Sequence, residues 1–369
     1  MFVRFIFCLL IPCGSIIAQT NNQIIVDSVV GKRAKKIKLS GYIDTYYAYD
    51  FNKPSNGLIS YFVSSNQHNQ FALNLGYLDL TYTTNLFKVK ITPGLGTYIE
   101  SNYVNEKGIF KNVLEASLGI CVSSKRKIWL EAGVFGSPFT NESAISKDQY
   151  MYTRSFAPEY VPYYLAGIKA SYPINEKFNL YVYFLNGWQQ IHDQNKGKSI
   201  ATQLEYRPNE KQIINWNTYV GDERSSLQPH FRMRYFSDIY FSTKFNHKLS
   251  LIACVYGGIQ RYTQLSNSDS EKGSLYWWQA NVVGKWNLSQ KQSVAARIEY
   301  FNDPANVMIS NLYPTLPIHI SSVGICYNFQ LIKNALFRID SRAIHGRKSI
   351  YENNRQNTFI LIGNLTFWF

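Results

Sequence analysis

The chain has 369 residues, a formal net charge of +14, 16% aromatic residues and a mean hydropathy of −0.21. No run beyond the first stretch is long and apolar enough to cross a membrane as a helix, which excludes a helical membrane protein. The 28 Tyr and 23 Phe alternate with Asn, Gln, Lys, Arg and Glu instead of clustering, which argues against an ordinary soluble core.

Met1 to Ala18 carries one early cation, Arg4, then an apolar run from Phe5 to Ile17 and a small residue before polar Gln19. That layout predicts a secretory signal peptide over 1–18, cleaved near Ala18. A lipoprotein reading at Cys13 fits poorly, because Pro12 directly precedes it. Residues 19–38, including "GKRAKK", read as a polar, solvated periplasmic arm.

From residue 39 to 369 the pattern alternates with a period of two. It predicts strands near 39–51, 69–83, 86–99, 110–122, 127–136, 163–173, 177–188 and 199–207. The second half gives 211–221, 232–245, 248–261, 274–288, 291–303, 317–331, 334–345 and 356–369. Tight turns sit at Thr84-Asn85, "SSKRK", "PINEK", "RPNEK", "NHK", "LSQKQ" and "IKNA". They alternate with longer links such as 52–68, 137–162, 262–273, 304–316 and 346–355. The fold class is therefore all-β: a transmembrane antiparallel barrel of about 16 strands, with short periplasmic turns and longer external loops. A barrel of about that size leaves an aqueous channel, whereas about eight strands would be filled by side chains. A soluble sandwich would need shorter strands.

The closing segment "FILIGNLTFWF" has Phe359, Leu361, Gly363, Leu365, Phe367 and Phe369 on one face, and its strand is expected to pair with Leu39–Phe51. Strand 232–245 sorts Arg232, Arg234, Asp238 and Lys244 onto one face, opposite Met233, Tyr235, Ile239 and Phe241. Arg297 and Glu299, and likewise Arg338, Asp340 and Arg342, share faces in the same way. An Arg or Lys in the middle of the lipid face costs about 2–4 kcal/mol, so these faces are expected to look inward. They are candidate pore-lining residues; the bland alternative is that they only brace the wall. Inward charges of both signs, among them Lys88, Lys90 and Lys169 against Asp79, Glu115 and Glu131, nearly cancel, so only a mild anion preference is expected, generated near Arg232, Arg234, Arg338 and Arg342. Replacing Arg338 and Arg342 by Glu is expected to shift it toward cations.

The longest link is "GSPFTNESAISKDQYMYTRSFAPEYVP", 136–162. Its length calls for a function or disorder, and its aromatics argue against disorder. Folded inward, Glu142, Lys147, Asp148, Arg154 and Glu159 would form a constriction facing the wall arginines; the alternative is a loop packed over the mouth. Cys121, Cys254 and Cys326 fall on separate strands and read as small buried or lipid-facing side chains. No metal-ligand spacing or nucleotide-binding pattern is present, so no cofactor is expected. No nucleic acid is expected either, since no basic recognition element appears.

In order, "GYIDTYYAYDFNKP", "AGVFGSPFTNESAIS", "YTRSFAPEYVPYYLAGIKASY" and "FLNGW" resemble the β-barrel porins of the OmpL-like group. The similarity covers most of the mature chain and is strongest from Gly41 to Trp188. It implies a bacterial outer-membrane barrel with a channel role. The inward third external loop is a feature of general porins, and the terminal Phe369 resembles the signal read by outer-membrane assembly machinery. The expected partners are outer-membrane lipids and lipopolysaccharide, that machinery, and small hydrophilic solutes, with a homo-oligomer open to it.

Two other classes compete with a passive or weakly selective pore. His319-Ile320-Ser321 places a His and a Ser on one strand face near the external rim, as in outer-membrane phospholipases, where His activates Ser. The strand number and flanking sequence do not match that family. A structural or adhesive surface barrel would carry longer, more repetitive external loops.

Overall fold

The computed structural model describes residues 24–27, 36–226, 228–265, 270–309 and 316–369. The expected signal peptide lies outside the described residues, as does most of the arm.

One sheet holds all the strands. A short β1 (Ile24–Asp27) pairs with the start of β2 (Lys36–Asp50), from Ile24 against Leu39 to Asp27 against Lys36. The described part of the arm thus adds to the sheet; of the charge run only Lys36 is described, at the start of β2. The first half continues with β3 (Phe71–Thr83), β4 (Phe87–Leu95), β5 (Val113–Ser123), β6 (Ile128–Gly136), β7 (Tyr164–Pro173), β8 (Phe178–Leu185) and β9 (Ser199–Asn209). The second half contains β10 (Gln212–Asp222), β11 (Phe231–Lys244), β12 (Leu249–Leu265), β13 (Ser270–Asn287) and β14 (Gln292–Asp303). It ends with β15 (Ile318–Ile332), β16 (Ala335–Gly346) and β17 (Asn357–Trp368). Each strand from β2 onward pairs antiparallel with the next, and β17 returns to β2, Trp368 opposite Tyr42 and Ile360 opposite Asp50. The result is a closed 16-strand barrel. Closure removes both sheet edges.

Exposure follows the alternation. On β17, Phe359, Leu361, Leu365 and Phe367 are exposed on the outer surface, whereas Ile360, Ile362, Asn364 and Thr366 are buried inside. On β11, Met233, Tyr235 and Ile239 point out while Arg234, Phe236 and Asp238 point in. An apolar outer band is what lipid requires, because it offers no partner to a polar side chain.

Strand ends differ from the periodic pattern where the backbone does something local. The strand expected over 86–99 stops at Leu95, because Gly96 takes φ 121° and the chain turns into α1 (Thr97–Asn102). A Cβ at Gly96 would lie 2.5 Å from the Asn74 carbonyl oxygen, so only glycine fits. The neighbours Gly133 and Gly167 face each other on β6 and β7 with φ 129° and 152°. A Cβ at either would sit 2.1 Å from a carbonyl oxygen of the adjacent strand. The link expected over 262–273 is instead mostly strand, since β12 runs to Leu265 and β13 starts at Ser270.

The interior is not empty. Between β6 and β7, residues 137–163 turn into the barrel, and Phe139, Met151, Tyr152 and Phe156 pack in one buried cluster with Phe236, Trp277, Phe301 and Ile320 from the wall. Loop 51–70 contributes Ile59, Tyr61 and Phe62 to the same cluster. The hydrophobic core of this protein therefore lies inside the cylinder.

Candidate functional site

The inward loop presents its backbone to the wall, and charged wall residues satisfy it. Arg338 donates from Nη1 to the Ser146 carbonyl at 2.7 Å and from Nη2 to the Ser146 hydroxyl at 2.9 Å. Asp340 accepts the Tyr152 and Thr153 N–H groups, both at 3.0 Å. Arg297 donates to the Thr153 carbonyl at 2.6 Å, and lies 3.1 Å from Glu299 and 3.6 Å from Glu142. Glu299 accepts the Phe156 N–H at 2.7 Å and pairs with Arg342. Arg342 also donates to the Arg154 carbonyl at 3.0 Å and to the Ser322 hydroxyl at 2.9 Å. Further round the wall, Asp238 accepts the Thr140 N–H at 2.9 Å and the Asn217 amide at 2.6 Å. A chain inside a barrel has no ladder to join, so its N–H and C=O groups need such partners.

The loop's own charges knit it together. Ser155 donates to Glu142 through its N–H at 2.9 Å and through its hydroxyl. Lys147 pairs with Asp148 at 2.9 Å. Arg154 donates to the Ser143 and Ala144 carbonyls, at 2.9 and 2.6 Å, with its guanidinium over the Tyr98 and Tyr163 rings. Glu159 accepts the Val63 and Ser64 N–H groups of loop 51–70, at 2.9 and 3.0 Å. Burial raises its pKa above the usual carboxylate value, and Arg154 and those N–H groups pull it back.

This corrects the expected roles of several residues. Arg297, Glu299, Arg338, Asp340 and Arg342 face inward, but they are buried under the loop rather than open to a water-filled lumen. Their charges are spent on loop backbone and on one another. Arg234 is also buried, its guanidinium 4.9 Å from the Trp188 ring and 5.4 Å from Trp277, with Nε donating to Gln260. Arg232 sits half-buried near the end of β11 away from the short turns, and Nη1 donates to the Pro229 and Phe231 carbonyls. Of the wall residues singled out, Lys244 is partly exposed and has no carboxylate within 4 Å among the described residues.

The space left beside the loop lies against a different wall. A cavity of about 250 Å³ runs between the loop and β3–β5, lined among others by Tyr77, Asp79, Lys90, Thr92, Tyr98, Glu115 and Tyr163. Lys90 bridges Glu115 at 2.8 Å and Asp79 at 3.3 Å. Glu131 on β6 takes Lys88 of β4 at 2.9 Å and Lys169 of β7 at 3.1 Å. Sequence reasoning placed these charges inward without singling them out. It also missed loop 51–70, α1 and the segment after β8, where Glu106 gathers the Tyr164 hydroxyl and the Ile191 and His192 N–H groups. The spacing of charges on β3–β7 carried the first signal, whereas the second had none.

His319 and Ser321 do share the outer face, but the described residues give them separate partners. His319 Nδ1 lies 2.7 Å from Asn302 Oδ1, and the Ser321 hydroxyl points to the His345 carbonyl at 3.5 Å. Among the described residues no group of His, Cys, Asp and Glu could hold a metal ion.

Solved porin and channel structures share this fold at low identity. The anion-selective porin from Comamonas acidovorans aligns at TM-score 0.62 and 11% identity, covering 91% of this chain and 100% of its own. The outer membrane channel DcaP of Acinetobacter baumannii aligns at TM-score 0.60 and 10% identity, over 90% of this chain and 97% of its own. A trimer form of OmpT from Vibrio cholerae aligns at TM-score 0.59 and 9% identity, over 91% and 99%. No curated protein matches the sequence significantly. The profile of the family described as "Putative beta-barrel porin-2, OmpL-like" matches residues 36–369, nearly the whole chain, and the protein belongs to that family.

Proposed function

We propose that this protein is a bacterial outer-membrane channel through which small hydrophilic solutes diffuse passively or with weak selectivity. The observation that carries this reading is the cavity beside the inward loop, walled on one side by charged β3–β5 inside a closed 16-strand barrel. Polar groups and paired ions on that side suit hydrated solutes, and a barrel of this width has room for a path. The preference between ions is weak, because Lys88, Lys90 and Lys169 are matched by Asp79, Glu115 and Glu131. A mild anion preference remains our proposal, supported by the basic net charge and by the partly exposed Lys244. Its seat moves away from the buried arginines. A homo-oligomer, lipopolysaccharide contact and insertion by assembly machinery belong to the same proposal.

Purified protein in planar bilayers is expected to give discrete single-channel steps, with a small reversal potential of anionic sign across a salt gradient. Absence of steps would remove the channel reading, and a strongly cationic reversal potential would remove the anion preference.

One observation favours a hydrolase: the Asn302 contact orients His319 as a base would require. Against it, Ser321 is engaged by the His345 carbonyl instead of by His319. Detergent-dispersed phospholipid is therefore expected to release no fatty acid with the wild type or with Ser321→Ala. A release that Ser321→Ala abolishes would overturn this and reinstate acyl transfer.

A further inference from the structure

Inside the barrel, on the wall opposite the paired lysines, one row of side chains crosses three strands near the short turns. Lys244 on β11 is opposite Ser250 on β12, and Ser250 is opposite Lys285 on β13. Neighbouring strands lie about 4.8 Å apart, so the two lysine backbones are about 10 Å apart with the serine between them. Side chains as long as lysine's can converge across that gap on one small ligand. The Lys285 ammonium stands 5.5 Å from the Tyr150 ring, so the loop roofs the row on its inner side. Both lysines are partly exposed, and Ser250 is buried between them.

The charge balance here departs from the rest of the interior. Lys88, Lys90 and Lys169 each have a carboxylate within 3.3 Å. Among the described residues Lys244 and Lys285 have none within 4 Å. The basic side chains that bear on Lys285 are Arg338 and Lys244, both of its own sign. Arg338 itself is held by carbonyl, hydroxyl and amide oxygens with no carboxylate. Lys244 and Lys285, facing each other across one serine with no carboxylate within 4 Å among the described residues, repel one another, and an anion placed between them would offset that.

We propose that Lys244, Ser250 and Lys285 form a binding station for a phosphate group at the short-turn mouth, the periplasmic one. Two ammonium groups supply point charges and three donors each, and the Ser250 hydroxyl, which meets the Tyr150 phenol, supplies a further donor. A compact oxyanion with several acceptor oxygens matches that set better than a halide does. Free phosphate and the phosphate of a small phosphorylated solute present the same chemistry. The station's place on a permeation path rests on the channel reading; the binding itself does not.

The test is calorimetric titration of inorganic phosphate into the full-length, detergent-solubilised protein, with single-channel recording beside it. Saturable binding is expected in the wild type, weakened about tenfold or more by Lys244→Gln with Lys285→Gln. The pair Lys244→Arg with Lys285→Arg should retain most of it, and Lys88→Gln should leave it unchanged. Resistance to unfolding in gels identifies variants that still form the barrel. In channels, phosphate on the short-turn side should reduce chloride current more than the same addition on the other side. A phosphorylated sugar that binds as inorganic phosphate does would extend the station to solutes, and one that does not would restrict it to the free ion. No saturable binding, or equal binding by the glutamine pair, overturns the proposal. A protein that binds phosphate and conducts nothing keeps the station and loses the channel.

Discussion

Deleting Ser143–Gln149 is expected to raise single-channel conductance severalfold. Ser143, Ala144, Ile145 and Asp148 line the loop side of the cavity against β3–β5, so removing them widens that space. The rest of the loop keeps its anchors: Asp340 holds Tyr152 and Thr153, Arg297 holds Thr153, and Glu299 holds Phe156. The deletion therefore thins the obstruction without releasing it. Arg338 would lose the Ser146 carbonyl and hydroxyl, leaving the Met151 carbonyl, Asn364 and Thr366 as partners. Comparison of step size in planar bilayers, deletion against wild type, measures this directly. An unchanged step would mean that ions pass on another side of the loop, or not through this barrel at all.

The second large effect is on stability. Replacing Arg342 by Met is expected to cost about 3 kcal/mol, the low end for breaking a fully buried ionic cluster from one side. Arg342 links Glu299 on β14, Ser322 on β15 and the Arg154 carbonyl in the loop, so one substitution loosens both wall and loop. Glu299 keeps Arg297 as a partner at 3.1 Å, which sets the effect below that of a wholly orphaned carboxylate. Urea unfolding in lipid vesicles would read the loss. Limited trypsin digestion would read the loop, since Lys147 and Arg154 are covered in the wild type. The double variant Glu299→Gln with Arg342→Met should lose less than the sum of the single ones. A stability change within about 0.5 kcal/mol, the range of an ordinary surface substitution, would show the cluster to be incidental.

Much of the barrel was readable in the chain. Strands such as 232–245 and 334–345 differ from β11 and β16 by one residue at each end. The reason is that lipid outside and polar groups inside impose a period of two on every crossing segment. Met233 and Ile239 could be sent outward, and Arg234 and Asp238 inward, from the cost of a charge in hydrocarbon alone. The closure of β17 on β2 followed from the even count and the need to leave no edge.

Facing inward and facing water are different properties, and here the alternation was silent. Arg338 and Lys244 carry the same pattern on paper, yet Arg338 is buried and Lys244 is partly exposed. The difference is whether a loop residue distant in sequence lies over the side chain: Ser146 lies 2.7 Å from Arg338, nearly two hundred positions away. Most of the anchors run to backbone carbonyl and N–H groups, which every residue except proline supplies alike, so the loop sequence carries no mark of them. A periodic pattern reports which side of a wall a residue occupies. What covers it depends on where residues 137–163 come to rest, and that is set by packing among Phe139, Tyr152, Phe156, Phe301 and Trp277, which meet only once the cylinder has closed.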